Sequence, residues 1–459
     1  MTQTFLLDDP AVTTLEQHLA RGGGAGLARA MELGPYQIIE EVNLAGLRGR
    51  GGAGFRTGAK WLSVQRGGGR HHYVVCNAAE GEPATFKDRA LLRANPYQVL
   101  EGLAIAARAV DAREGFVALK ASFDRERRAV ERAVAEMTGA DLLGGLTVRV
   151  VAGPEEYLFG EEKALLEVIE GNDPLPRWMP PYLHGLFATA PQLGWEAHDP
   201  EAGHHGEHAA NPTAVNNVET LANVPHILAT GAEWFRTLGT AQSPGNVVCT
   251  VVGDVSQPGV VEVELGTPLR DLFDACGGPL PGRSVRAVLS GISNPVLTAD
   301  QLDTPLSYEA MEAAGSGLGA AGFAVYDDTA CMVEVARALS RFLSVESCGQ
   351  CPPCKFGTGE ITDALDRIGD GRGDEGQLER IHERLATVTD ANRCYLPVEE
   401  QRVISSILRA FPEDFVAHLE HGCPHPRDIV VPKIVDIAGG IVTYDQRQAT
   451  KRPDWTYPG

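Results

Sequence analysis

Between His71 and Gly153 the chain alternates strand-like and helix-like runs, and this alternation constrains its fold more than any other feature. "HHYVVC", "EGFVALKA" and "LTVRVVAG" are short apolar runs rich in β-branched residues. Between them, "NPYQVLEGLAIAARAV" and "DRERRAVERAVAEMTG" have helical period, the first with a proline near its start. Strand, helix, strand, helix, strand predicts a parallel sheet covered by helices. The expected α/β domain runs over 33–239, behind an N-terminal segment, 1–32, that includes "ARGGGAGLARAMELG".

From Gly245 the texture changes. "GNVVCTVVGDV", "GVVEVELG", "VRAVLSGI" and "GFAVYDD" are short strand-like runs between Gly and Pro turns, with one helical stretch, "PLRDLFDACGG", among them. A small α+β module over 245–327 is expected. Four helical patterns then follow over 328–421, with connections short enough for antiparallel packing into a four-helix bundle. Residues 422–459 carry several prolines and read as a surface tail.

With 459 residues and 43% hydrophobic content, the chain has ample material for more than one core. A net charge of −21 argues against a nucleic-acid surface and against anionic lipid, both of which attract Lys and Arg. No apolar run is long enough to span a bilayer, and "MTQTFLLDDPAV" lacks the basic start of a secretory leader. A cytoplasmic protein is expected, with any membrane contact made through partners.

The nine cysteines are unevenly spread. Cys348, Cys351 and Cys354 stand three apart in "ESCGQCPPCK", whereas a disulfide scaffold distributes its pairs. Thiolates select soft metals. Two Cys-x-x-Cys steps in succession match three corners of a cubane [4Fe–4S] cluster, since each two-residue loop spans neighbouring irons. The fourth ligand must come from elsewhere. Cys394, in "ANRCYLPVEE" before the last helical pattern, is the better candidate, and Cys423, past that helix, is its rival.

Three other clusters carry weaker signals. "GRGGAGFRTGAKW" is a glycine loop able to bring backbone N–H groups to a phosphate. It precedes the first clear strand, so it is not the dinucleotide fingerprint. Glu161 and Glu162 fall where a helix should begin, a place acids occupy for electrostatic reasons alone. Asn216 and Asn217 precede another helix, where asparagine is an ordinary cap.

Taken in order, "LRGRGGAGFRTGAKW", "CNAAEGEPATFKDR", "EYLFGEEKALL", "PTAVNNVETLANV" and "ESCGQCPPCKFGTGE" resemble the F subunit of respiratory complex I, its NADH-binding flavoprotein. The same module occurs in diaphorase subunits of NAD-reducing hydrogenases and NAD-dependent formate dehydrogenases. The resemblance implies a Rossmann-like FMN and NADH domain, a ubiquitin-like β-grasp (SLBB-like) domain and a four-helix bundle with one [4Fe–4S] cluster. It implies that Gly49, Gly51, Gly52 and Gly54 line the flavin and nucleotide cradle, with Lys60 donating to flavin or phosphate. Asn77 and Glu80 would contact FMN; Phe55, Glu82, Glu162 and Tyr182 would shape the NADH pocket. Tyr157, Gly160 and Glu161 would lie along the isoalloxazine, and Val215, Asn216, Asn217 and Thr220 at the FMN phosphate end. Cys348, Cys351, Cys354 and Cys394 would hold the cluster. Hydride would pass directly from NADH to FMN, with no protein acid or base as catalyst. Electrons would leave singly through the cluster to a thioredoxin-like [2Fe–2S] subunit, then to other iron–sulfur subunits and finally to quinone.

The chain departs from the family pattern in places. Ala79 and Gly81 stand where the family has an acid and a hydroxyl, Arg56 replaces a proline, and Phe159 and Lys163 replace Cys and Thr. Each lost flavin hydrogen bond is worth about 1 kcal/mol. An insert, 188–210, holds His198, His204, His205 and His208; an exposed Gly- and Ala-rich loop is expected in preference to a metal site, and a place by the nucleotide entrance in contact with a partner is a further hypothesis. The alternatives are a diaphorase subunit of a soluble hydrogenase or formate dehydrogenase, and a cluster-bearing relay that binds FMN weakly.

Overall fold

The computed structural model describes residues 4–67, 71–190, 209–423, 425 and 427–458. The four histidines of the insert lie outside the described residues. By its internal contacts the chain divides into two units. The first comprises Met1–Glu80, Asp88–Glu155 and Phe159–Asn246; the second comprises Gly81–Lys87, Glu156–Leu158 and Val247–Gly459.

The first unit is built on a parallel sheet of β1 (Tyr73–Ala78), β2 (Glu114–Lys120), β3 (Thr147–Gly153) and β4 (Thr213–Asn217), in the order β3-β2-β1-β4. β1 and β2 are almost wholly buried, which is why they read as continuous apolar runs rather than alternating ones. The order reverses between β1 and β4, so the crevice beyond their carboxyl ends is the switch point where open α/β sheets bind ligands.

Helix Pro96–Ala109 begins at Asn95, whose side chain accepts from the amides of Tyr97 and Gln98, and it is buried along nearly its whole length. It packs on helix Val218–Thr230 so closely that a Cβ on Gly102 would lie 2.0 Å from the Leu221 carbonyl oxygen. The N-terminal residues join this packing. Glu101, buried on the same helix, accepts from the amides of Gly24 and Leu27 and pairs with His18 at 3.1 Å. One carboxylate thus ties helix Ala25–Glu32 into the unit, and Leu27 and Ala30 are buried with it.

In the second unit, β5 (Asn246–Gly253), β6 (Gly259–Glu264), β7 (Val285–Ser290), β8 (Leu297–Thr298) and β9 (Gly322–Asp327) form a mixed sheet in the order β6-β5-β9-β7-β8. β5 and β9 are parallel and central, β7 is antiparallel to β9, and helix Leu269–Ala275 covers one face. This is the β-grasp arrangement. The helical part follows as Met332–Glu346, Pro352–Gly369, Glu375–Thr387, Leu396–Ala410 and Pro412–Glu420. The last expected helix is therefore two. Pro412 offers no N–H to continue the first and starts the second instead.

The tail is more than a surface extension. Strands β10 (Ile434–Ala438) and β11 (Ile441–Tyr444) form a hairpin, and Lys451 beyond it is fully buried. Its ammonium lies 2.9 and 3.1 Å from the two carboxylate oxygens of Glu346, equally buried at the end of helix Met332–Glu346. The lysine holds that carboxyl below its ordinary range although burial acts the other way.

Candidate functional site

In the first unit, the expected cofactor residues gather at the carboxyl ends of β1 and β4. The glycine loop is closed at its base by a bridge between Arg48 and Arg56, by Gly49 N–H to Phe55 O at 2.8 Å, and by Arg48 Nε to Gly54 O at 2.8 Å. Gly52 and Gly54 adopt φ of 122° and 62°, left-handed values that favour glycine. The Arg50 amide donates to Thr220 Oγ1 at 2.8 Å, and its buried guanidinium reaches the carbonyls of Pro244 and Asn246. A Cβ on Gly51 would stand 3.1 Å from Asn217 Cβ, so the loop lies directly against the end of β4.

Helix Thr57–Arg66 then leaves the loop and delivers two side chains. Lys60 Nζ donates to Val215 O at 2.9 Å and to Glu162 Oε2 at 2.8 Å; Trp61 Nε1 donates to Asn216 Oδ1 at 2.8 Å. From β1, Asn77 Nδ2 donates to Gly160 O at 2.7 Å. A Cβ on Gly160 would stand 3.0 Å from the Ala79 carbonyl oxygen. Glu161 caps helix Glu162–Ile169 through the amides of Lys163 and Ala164, and burial pushes its carboxyl up to about 7. Asn217 caps helix Val218–Thr230 and also donates to Asp88 Oδ2 at 2.6 Å.

Gly51, Lys60, Asn77, Gly160, Glu161, Glu162, Val215, Asn216, Asn217 and Thr220 thus meet in one region of one unit. Glu80 lies in the same unit, with its carboxylate taken by the Asp88 amide and the Arg89 guanidinium. Glu82 and Tyr157 belong to the second unit. Glu82 Oε1 accepts from Ile292 N–H at 3.0 Å and Ser293 Oγ at 3.1 Å; Tyr157 donates to Glu399 Oε1 at 2.9 Å and meets Phe342 edge-on. Phe55 and Tyr182 are exposed. Arg50, Trp61 and Asp88 also build the site, without a sequence signal that marks them. A buried Arg between glycines has no pattern that separates it from a surface one.

The donor set suits a planar, phosphate-bearing cofactor. The cradle would be filled by a side chain at Gly51 or Gly160, an ammonium stands at its wall, and two helices start there with their positive ends. Two departures also find a physical setting. Ala79 and Phe159 are buried in the same apolar cluster with Tyr73, Phe116 and Leu165. A carboxylate at position 79 would need a partner in that cluster.

In the second unit, Cys348, Cys351, Cys354 and Cys394 line a single pocket with Leu158, Ser347, Arg393, Leu396 and Pro397. Cys351 caps helix Pro352–Gly369, and Cys394 sits two residues before helix Leu396–Ala410, so two helix N-termini begin at the pocket and favour negative charge there. Burial pushes the Cys354 thiol up to about 12 and raises Cys348; a metal reverses this by taking the thiolate form. Lys355 Nζ donates to the carbonyls of Ser347 and Pro453, each at 2.8 Å, which ties down the loop. Four thiols converging on an apolar pocket fit the soft donor set of a [4Fe–4S] cluster. Cys423 lies elsewhere, beside Cys331 and His418, and it is Cys394 that lines this pocket with the other three.

Comparison with known families agrees with both halves. Residues 42–226 match the Nuo51 FMN-binding domain, 248–289 the SLBB domain, and 334–418 the NADH-ubiquinone oxidoreductase-F iron-sulfur binding region. The class is that of oxidoreductase subunits that carry a flavin and an iron–sulfur cluster. Among relatives, the second NADH-quinone oxidoreductase F subunit of Rhizobium meliloti is 38% identical over 91% of this chain and 97% of its own length. The F subunit of Streptomyces coelicolor NADH-quinone oxidoreductase is 37% identical over 91% of each chain. HndC, a component of the NADP-reducing hydrogenase of Solidesulfovibrio fructosivorans, is 34% identical over 90% of this chain and 82% of its own. The crystal structure of an NAD+-reducing [NiFe]-hydrogenase in the H2-reduced state superposes with a TM-score of 0.76 at 33% identity. That match covers 86% of this chain but only 64% of the hydrogenase chain. The chain belongs to the family of NADH-quinone oxidoreductase F subunits. Among the described residues, no helix is long and apolar enough to cross a membrane.

Proposed function

We propose that this chain is the electron-input subunit of a multi-subunit NADH-quinone oxidoreductase, taking reducing equivalents from NADH and passing them to a neighbouring subunit. The observation that carries this reading is the pairing, in one family member, of the glycine cradle at the β1–β4 switch point with a four-cysteine pocket. FMN held in the cradle would supply hydride acceptance and single-electron release, and a [4Fe–4S] cluster held by Cys348, Cys351, Cys354 and Cys394 would supply one-electron transfer.

The residues' tasks are binding and orientation. The Gly49–Gly54 loop supplies backbone donors, while Thr220 and Arg50 fix its position. Asn77 donates to Gly160 O and accepts from the Ala79 amide, and Asn216 accepts from Trp61, so their side-chain amides are held in fixed orientations. Glu162 is assigned to the nicotinamide ribose, where its charge, tempered by Lys60, disfavours a 2′-phosphate. Glu82, Phe55 and Tyr182 are assigned to the NADH pocket. The expected electron acceptor is a small thioredoxin-like [2Fe–2S] subunit, with quinone as the final one. HndC and the hydrogenase match support a diaphorase role in a soluble hydrogenase as the second reading.

An anaerobic absorbance spectrum with iron and flavin counts, taken before and after NADH, tests the proposal. About four irons and one FMN per chain, with flavin bleaching, is expected. Iron without flavin, and no uptake of added FMN, would refute it in favour of the relay reading.

A further inference from the structure

Away from the cluster pocket, Cys331, His418 and Cys423 bring their ligand atoms within 4.8 Å of one another. Cys331 Sγ and His418 Nε2 are 3.1 Å apart, both residues are buried, and Cys423 is half-buried. The three come from separate places. Cys331 is the N-cap of helix Met332–Glu346, His418 sits in helix Pro412–Glu420, and Cys423 follows Gly422, whose φ of 84° turns the chain back. We propose that these three side chains form a structural zinc site, separate from the iron–sulfur cluster, with solvent in the fourth position.

The histidine's second nitrogen supports the assignment. His418 Nδ1 lies 3.3 Å from the Ile368 carbonyl oxygen, an oxygen that can only accept. That bond places the proton on Nδ1 and leaves the Nε2 lone pair facing the sulfur, as in metal-bound imidazoles. Two thiols and an imidazole are a borderline-soft donor set that suits Zn2+ in tetrahedral geometry. Charge and protons balance: the ion displaces one proton from each thiol, and two thiolates neutralise its double charge, so no net charge is buried.

The surroundings are braced for a fixed ligand geometry. Asp414, on the same helix as His418, accepts from the Met332 amide at 2.9 Å and from Arg286. Helix Met332–Glu346 has 15 residues, so about 22 Å of helix separates this site from the loop of Cys348. The zinc would pin the start of the helix whose far end leads into the cluster, and join it to the end of the last helix. It has no part in electron transfer.

The test is metal analysis on the purified, cluster-bearing protein, loaded with zinc sulfate and desalted against a weak chelator. About one zinc per chain in addition to about four irons is expected. Zinc-edge X-ray absorption should show two sulfurs at about 2.3 Å. C331S and C423S should lose the zinc while keeping the irons and the visible spectrum. Cys423 lies beyond the last helix, so C423S keeps the test usable if C331S fails to fold. Absence of zinc from loaded wild type would overturn the proposal. So would full zinc retention in C423S, or a Cys331–Cys423 disulfide seen by mass under non-reducing conditions.

Discussion

The cradle and the cluster pocket solve the problem of assembling a site in opposite ways. Three of the four cluster cysteines lie within seven consecutive residues, and the fourth sits at the start of a helix in the same bundle. The cradle draws on residues from Gly51 to Thr220, and its geometry exists only once a parallel sheet has brought the ends of β1 and β4 side by side. A site of the first kind depends on donor chemistry, and one bad ligand ruins it. A site of the second kind depends on topology, so it can lose single contacts and degrade by steps.

The largest effect should follow Cys394→Ser. Iron per chain should fall from about four to well below that, with loss of transfer to an iron–sulfur partner. Flavin reduction by NADH should survive in the first unit. Loss of both activities would mean the two sites are less independent than their construction implies. Lys451→Met comes next. It leaves Glu346 buried without its ion-pair partner, held by the Tyr157 amide and Gln448, a change worth about 3–5 kcal/mol. The cluster's visible absorbance should then bleach at a lower urea concentration, and an unchanged midpoint would show that the tail does not brace the pocket. In the cradle, Gly160→Val should weaken FMN by about tenfold, from overpacking of about 1–3 kcal/mol against the Ala79 carbonyl. Complete loss of flavin would make the cradle as brittle as the pocket.

The smallest effect is a pH slope. Burial raises Glu161 from an ordinary value near 4.5 to about 7. The folded protein therefore keeps a proton that the unfolded chain releases, and this group's contribution to stability falls as pH rises from 4.5 to 7. The urea midpoint of the flavin-binding unit should drop across that window in wild type and drop less in Glu161→Gln. Equal slopes would remove Glu161 as the source.

The same contrast decides what could be read in advance. Cys348, Cys351 and Cys354 announce their chemistry through spacing alone, and Cys394, singled out by its place before a helix, lines the same pocket. That a small α+β module follows the first domain was legible because its strands are short, apolar and set off by Gly and Pro, while its β-grasp topology came only from the resemblance. Glu101, Arg50 and Lys451 were not, because a charged residue that finds its partner through tertiary packing looks like any solvated one. The break at Pro412 was printed in the sequence, but the helical period continues across it and hides it. The resemblance implied Glu82 for the NADH pocket and Tyr157 for the isoalloxazine; the bonds these two make within the protein, with residues 292–293 and with Phe342 and Glu399, carry no mark in the sequence.

The partner of Glu346 stands 105 residues further along the chain. During synthesis, the helix that leads into the cluster loop emerges long before the lysine that neutralises its end. Until residues 433–451 leave the ribosome, that carboxylate must remain hydrated, and the loop of Cys348 has no finished floor. A chain that ends before residue 451 lacks the cation for that carboxylate, and the loop leading to its cysteine pocket should be held less firmly.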